Sequence, residues 1–464
     1  MLITKFSRVI GLGYLFLLIA LLYIEYRYQV KSPNWQGRQF YTEQARAIVN
    51  FSLNVKPESL PNECWIYNQK CFGYFGIFPS LIRIPFLAFP WIVSSPAPFL
   101  AIAIGVGILY SIKVADLILS SKSNSNANER ISIDSRILTG IFIAAGPATL
   151  FMQLLLPRVF WETIAWSSAL TITGMFYFAK WFLDGAKGHK YISVLLFIFA
   201  SNTRPTGGVI ALCLGVILLI YEILANKGRI VTSLGNMILL SIPFVTSVLI
   251  FYLKFRQFIP DMRLQEIIPE SDYWRVILEN NGNSTTGLKF VMSNLVGYLS
   301  LMAYKMQPDF PFLIFRPNWD FEYQFPLTIN PSMHVESHNS LTMLSPLGVL
   351  GMILILSRLI SWLKSKKNVF REENFIFVAL GLSALMGVIP TLILSAISNR
   401  YLGDFIPAVA IGVPILALWV QKKLKTRNGL WRLMPSVFIS LAMVGAIFNM
   451  YTFILILLNP VGEG

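Results

Sequence analysis

Only 13% of this 464-residue chain is charged, so the groups able to do chemistry are few. Several of them stand at the ends of apolar runs. Glu43 lies in NWQGRQFYTEQARAIV, Asn34 to Val49, the first polar stretch after the first apolar run. Read as a helix, this stretch puts Phe40, Gln44, Ala47, Ile48 and Phe51 on one side and Glu43, Arg46 and Asn50 on the other. A short helix with an apolar belly suits a membrane interface, where it would hold Glu43 over the water-facing mouth of a helical bundle. Arg83 follows in GIFPSLIRIPF, Glu162 in RVFWETIAW, Arg204 in ASNTRPTGG, and Arg400, Tyr401 and Asp404 in ISNRYLGDFIP. Ionisable groups are expensive in apolar surroundings, so each is a candidate site residue. Arginines at headgroup depth can grip a phosphate bidentately and stabilise it as a leaving group. A carboxylate beside them can take the proton from an attacking hydroxyl.

Each residue also has a structural use that the sequence leaves open. Glu43 pairs with Arg46 at i,i+3 in that reading, Arg400 with Asp404 across one turn, and Glu162 tethers neighbouring helices. Arg83 and Arg204 then snorkel to headgroups. His334 and His338 have a ligand-like spacing, but no second motif accompanies them. No metal ligands and no cofactor are assigned on this basis, and a divalent metal stays open.

The elements that must position these groups are membrane helices. Hydrophobic residues make up 55% of the chain and the mean hydropathy is +0.61, whereas a soluble protein carries about twice the share of charge found here. Apolar runs near ~20 residues span a bilayer as helices, and the alternation of a β-barrel is missing. The reading is an all-α integral membrane protein, one polytopic domain over residues 1–464, with about eleven transmembrane helices. Residues 26–98 form a first outer loop with interfacial helices, because Pro79, Pro85 and Pro90 would break a span there. Residues 254–341 form a second large outer loop. The first apolar run has no small-residue cleavage site and reads as an uncleaved span.

The net charge of +15 follows from orientation. Lys and Arg crowd the N-terminus and the loops at 122–136, 180–190, 227–229, 364–371 and 422–432, while the alternate short loops hold isolated arginines. Positive-inside then puts the N-terminus in the cytoplasm and both long loops outside, on the periplasmic or extracellular face of the inner (cell) membrane. No compact basic domain stands apart, which argues against nucleic acid. On the outer face Cys64 and Cys71 could close a small disulfide ring, the alternative being two unpaired thiols. The cytoplasmic loops are too short for a nucleotide-sugar site.

FYTEQARAI after the first span, then CFGYFGIFPSLIRIPF, RVFWETIAW, SNTRPTGG and NRYLGDFIP are together similar to the bacterial members of the GT-C class of membrane glycosyltransferases. The resemblance covers most of the chain. It implies a GT-C-like fold and a polyprenyl-phosphate-linked sugar as donor. It also implies a glycan, lipid or protein acceptor, a hexosyl- or pentosyltransferase activity, and a catalytic acidic residue in the first outer loop. Members often carry Asp or Asp-Glu early in that loop. Here Gln36-Gly37 stand near that place and the loop has no Asp, so Glu43 is the first choice of base and Glu25 the second. Arg83, Glu162, Arg204, Arg400, Tyr401 and Asp404 are the expected substrate-binding group. The rival reading is a polytopic transporter or lipid flippase. That reading calls for internal repeats and broken midplane spans, and no convincing repeat is present.

Overall fold

The structure is a computed structural model that describes residues 19–23, 26, 39–60, 63–120, 140, 144–152, 154, 159–224, 230–258, 275, 278–279, 281–282, 284–299, 304–306, 313–315, 334–335, 340–364, 372–394, 396–397, 399–426 and 434–458. The first helix, α1 (Phe40–Val49), buries Phe40, Tyr41, Thr42, Gln44 and Ala45. The chain turns at Asn50, and Phe51 takes a left-handed φ of 54° and is fully exposed. Phe51 therefore does not share the buried face expected for it. Strands β1 (Trp65–Tyr67) and β2 (Lys70–Phe72) pair antiparallel, with Tyr67 opposite Lys70. The two-residue turn between them puts both Asn68 and Gln69 at positive φ, the mirror-image turn that matches strand twist. A disulfide joins Cys64 and Cys71. Phe40, Tyr41, Val55, Leu60, Cys64, Cys71 and Phe75 form a small core of their own, so the first polar region is a folded cap built on α1 and the hairpin.

Three short turns follow, Phe78–Leu81, Ile84–Phe86 and Pro90–Val93. Each begins with a proline at its first or second position, where the missing N–H is not needed. The long helices are α2 (Ala97–Ser120), α3 (Val159–Asp184), α4 (Lys187–Ser201), α5 (Pro205–Leu224) and α6 (Ile230–Phe255). The nine-residue α7 (Val291–Leu299) precedes α8 (Pro346–Lys364), α9 (Glu372–Met386), α10 (Ile406–Thr426) and α11 (Met434–Leu458). Among the described residues five stretches are long and apolar enough to cross a membrane: Ala97–Ser120, Pro205–Leu224, Ile230–Phe255, Phe375–Leu392 and Tyr401–Val420.

Helix α10 is the axis of the bundle and packs against α2, α3, α8, α9 and α11. Its span is 83% buried, whereas that of α6 is 22% buried and shows Val231, Ile238, Val245 and Leu249 to the outside. One expected span is interrupted, and another, at about 137–156, is described only in part. Between α2 and α3 the described residues form a π-helical turn, Ala144–Ala148, and a short helix, Thr149–Met152. Pro147 lies inside that turn, and its missing N–H fits the widened ladder. Helix α9 stops at Met386 rather than running to Ile397, and Ile389–Leu392 follows as a separate turn with Pro390 near its start. Asn294 of α7 donates through Nδ2 to the carbonyls of Leu392 (2.7 Å) and Leu394 (2.8 Å), which caps the broken end.

Candidate functional site

Among the described residues two arginine–carboxylate pairs dominate the polar interior. Arg83 leaves the turn after Phe78–Leu81, and Glu162 sits in the first turn of α3. The guanidinium donates from both terminal nitrogens to the two carboxylate oxygens, at 2.7 and 2.8 Å, and the side chains are 2% and 1% exposed. The same arginine donates to the Pro79 carbonyl at 2.8 Å and lies 4.0 Å from the centre of the Phe99 ring. Two parallel bonds, a carbonyl and an aromatic face occupy most of what a guanidinium can offer.

The second pair is more open. Arg204 stands between α4 and α5, and its Nη2 donates to Asp404 Oδ2 at 2.6 Å. Thr391 Oγ1 donates to the same oxygen at 2.5 Å, so the turn left by the break in α9 backs the carboxylate. Asp404 is 2% exposed at its side chain and Arg204 18%. The Tyr401 ring lies 5.6 Å from the Arg204 guanidinium carbon. Asp404 and Tyr401 belong to the 3-10 turn Asn399–Phe405. Ser168 of α3 fixes that turn by donating to the Gly403 carbonyl at 3.0 Å, and a Cβ at Gly403 would fall 2.1 Å from Ile164.

Tyr41 of α1 packs against the first pair. Its hydroxyl is hydrogen-bonded to Thr163, next to Glu162, and its ring lies 5.4 Å from the Arg83 guanidinium. Burial, then the charge of Glu162, push the Tyr41 phenol up from its ordinary value, while Arg83 and Arg204 both act on it in the opposite sense. Thr42 donates to the Val93 carbonyl (2.7 Å), and Ser80 donates to Gln44 Oε1 (2.6 Å). These bonds seat α1 on the proline-rich turns.

The cap is clamped to the Arg204 turn by its backbone. Gly76 N–H donates to the Thr203 carbonyl at 3.2 Å and Phe78 N–H to that of Asn202 at 2.9 Å. A Cβ on Gly76 would fall 1.9 Å from the Asn202 oxygen, so only glycine permits this approach. Lys254, 1% exposed near the end of α6, donates from Nζ to the carbonyls of Gly73 (2.9 Å) and Phe75 (2.5 Å).

The structure therefore pairs Arg83 with Glu162, and separately sets Arg204 against Asp404 and Tyr401, each across long stretches of chain. Glu43 lies off the Tyr41 face of α1, 15% exposed, in an ion pair with Arg46. Asp404 pairs with Arg204. Arg400 is the second residue of the 3-10 turn, and its side chain lies outside the described residues, as do Glu25, Glu336 and His338. His334 falls in a two-residue strand paired with Ala396. Among the described residues no three His, Cys, Asp or Glu side chains cluster. Sequence reasoning missed Tyr41, Thr163, Thr391 and Lys254. A signal existed for Tyr41, because positions 41, 44, 45 and 48 form an i, i+3, i+4, i+7 stripe.

No family model matches the chain, and no curated sequence relative matches it. Six chains of solved structures match it, three of which follow. The oligosaccharyltransferase of Archaeoglobus fulgidus in the apo form is 15% identical, with a TM-score of 0.45, over 95% of this chain and 55% of that one. The archaeal oligosaccharyltransferase AglB from the same organism, in complex with an inhibitory peptide and a dolichol-phosphate, is 16% identical with a TM-score of 0.44 over 95% and 55%. The A. fulgidus enzyme tethered to an acceptor peptide containing the NVT sequon gives 15% and 0.43 over 95% and 54%. The chain spans about half the length of these structures.

Proposed function

We propose that this chain is a GT-C-class glycosyltransferase of the inner (cell) membrane. It moves a sugar from a polyprenyl-phosphate donor to a glycan, lipid or protein acceptor on the outer face. The observation that carries the proposal is the Arg204 site: a partly exposed guanidinium held from behind by a buried carboxylate, with the Tyr401 ring beside it. Asp404 takes one edge of the guanidinium, and its other edge binds the donor phosphate. Arg400, one residue before Tyr401, supplies the second cation that a phosphate leaving group needs. Glu162 is closed inside its pair with Arg83 and orders the cap. The acceptor proton then goes to Glu43, which is partly exposed on the same cap. Glu25 is the reserve choice. The pair Cys64–Cys71 staples the cap in an oxidising compartment.

The test is incubation of the purified protein with labelled polyprenyl-phosphate sugars and a panel of acceptors. Glycosyl product from the native chain is expected. Glu43→Gln should lower kcat by about a hundredfold or more, the contribution of a general base, with the fold intact. Arg204→Gln should raise KM for the donor. Full activity in Glu43→Gln removes that residue from the base role. Lipid movement across the membrane without any glycosyl product overturns the transferase reading in favour of a flippase.

A further inference from the structure

Helix α3 carries a second polar cluster at its far end. Lys180 lies 18 residues beyond Glu162, about 27 Å along the helix axis, close to the ~30 Å thickness of the hydrocarbon core. Lys113 of α2 places its ammonium 4.3 Å from the Tyr110 ring centre and 5.9 Å from that of Phe176. Lys180 of α3 places its own 5.8 Å from the Phe176 ring centre. Tyr177, the next residue after Phe176, holds its hydroxyl 3.3 Å from the Tyr110 hydroxyl. His189, in the first turn of α4, packs its ring 5.7 Å from that of Tyr177 and has a buried, unpartnered Nδ1. Lys190 follows, 5.3 Å from the Trp181 ring centre, donating to Asn236 Oδ1 at 2.6 Å.

Two lysines therefore converge on the Phe176 ring beside one pair of phenols, and neither makes an ion pair with a carboxylate among the described residues. The N-terminus of α4 has no side-chain cap and adds the positive end of a helix dipole. Like charges gathered in this way repel, and an anion between them relieves the repulsion. Directly beyond Lys190, α4 exposes Tyr191, Ile192 and Leu195, an apolar strip that suits an acyl chain.

We infer that the seam between α2, α3 and α4 binds a phosphate-bearing anion, with Lys113 and Lys180 as its charge partners and the Tyr110 and Tyr177 hydroxyls as hydrogen-bond donors. The two sources of such a group are the headgroup of an anionic phospholipid and free phosphate. The apolar strip on α4 favours the headgroup.

The test uses the full chain in nanodiscs of phosphatidylcholine with and without phosphatidylglycerol, read by native mass spectrometry after release from the disc. A parallel arm adds inorganic phosphate to the phosphatidylcholine discs. The expected result is retained phosphatidylglycerol that falls about fivefold for each charge lost in Lys113→Gln and Lys180→Gln. Arg358→Gln, which removes an exposed arginine of α8, should leave retention unchanged. Retained inorganic phosphate with the same lysine dependence assigns the site to the free ion. Equal loss in Arg358→Gln, or retention unchanged in Lys113→Gln/Lys180→Gln, overturns the inference. Because none of these residues belongs to the Arg204 site, the result is independent of the proposed glycosyl transfer.

Discussion

The pair Arg83–Glu162 offers the sharpest test of how the cap is held. Both side chains are nearly inaccessible, at 2% and 1% exposure, and two bonds of 2.7 and 2.8 Å join them. Removing one member strands a buried charge, which costs about 3–5 kcal/mol. Glu162→Ala leaves the guanidinium with the Pro79 carbonyl and the Phe99 and Tyr41 rings but no counter-charge, and Arg83→Met leaves the carboxylate without its cation. Replacing both, as Arg83→Met/Glu162→Leu, removes the stranded charge. The Pro79 carbonyl then loses its donor, a cost of about 1–3 kcal/mol. Two single losses of that size against one smaller double loss give a coupling of at least about 3 kcal/mol. Reversible SDS unfolding in mixed micelles, followed by tryptophan fluorescence, measures all three variants. A double variant as unstable as the sum of the singles would refute the reasoning, because the pair would then contribute through independent contacts. The double variant also separates ordering from binding: as an ordering pair, its replacement should leave donor KM within about threefold.

Other outcomes follow from single contacts. Gly76→Ala puts a methyl 1.9 Å from the Asn202 carbonyl, so it should push the cap off the Arg204 turn. The expected signs are a lowered melting temperature and new protease cleavage near residue 76. Gly351→Val meets the backbone of Gly412 at 2.5 Å. It should destabilise the α8–α10 crossing by about 1–3 kcal/mol or more, read in the same SDS titration. Tyr41 has a raised phenol because of burial and Glu162. Its stabilising share is therefore complete below the unfolded value of about 10 and is lost as pH rises above it. Tyr41→Phe should flatten that alkaline limb of the stability–pH curve.

The apolar helices could be read directly from hydropathy, because a span must be long and uncharged whatever it packs against. The proline-broken segment could be read as well, since Pro79, Pro85 and Pro90 each forbid a continuous helix there. Partner choice was hidden. The end of α9 shows why: Pro390 was visible in GLSALMGVIPTLILSAI, yet a sliding average runs over it, and the break is what delivers Thr391 to Asp404. The helical wheel drawn over Asn34–Phe51 failed at its last position for a similar reason. Extending the helix through Phe51 drew the buried side through 40, 44, 47, 48 and 51. The real helix ends at Val49 and turns Tyr41, Gln44 and Ala45 inward. A search limited to ionisable residues also passed over Thr163 and Thr391, which orient charged or phenolic groups without carrying charge.

Arg83 and Arg204 read alike in the sequence, as lone arginines beside prolines at the edge of apolar runs. The difference lies in what surrounds each one. Arg83 meets its carboxylate edge-on with both terminal nitrogens, under the Phe99 ring, so a ligand would have to displace an existing bidentate bond in a dry interior. Arg204 gives one nitrogen to an aspartate that a threonine already orients, and it keeps 18% of its side chain open beside Tyr401. A guanidinium held at one edge has little rotamer freedom left to lose when an anion arrives at the other, so more of the interaction energy survives as affinity. On that ground an anionic substrate should lose affinity when Asp404 is changed to Asn, even though the change removes a negative charge from its surroundings. If Asp404→Asn instead lowered donor KM, charge repulsion would outweigh preorganisation, and Arg204 would have to act as a bare electrostatic partner.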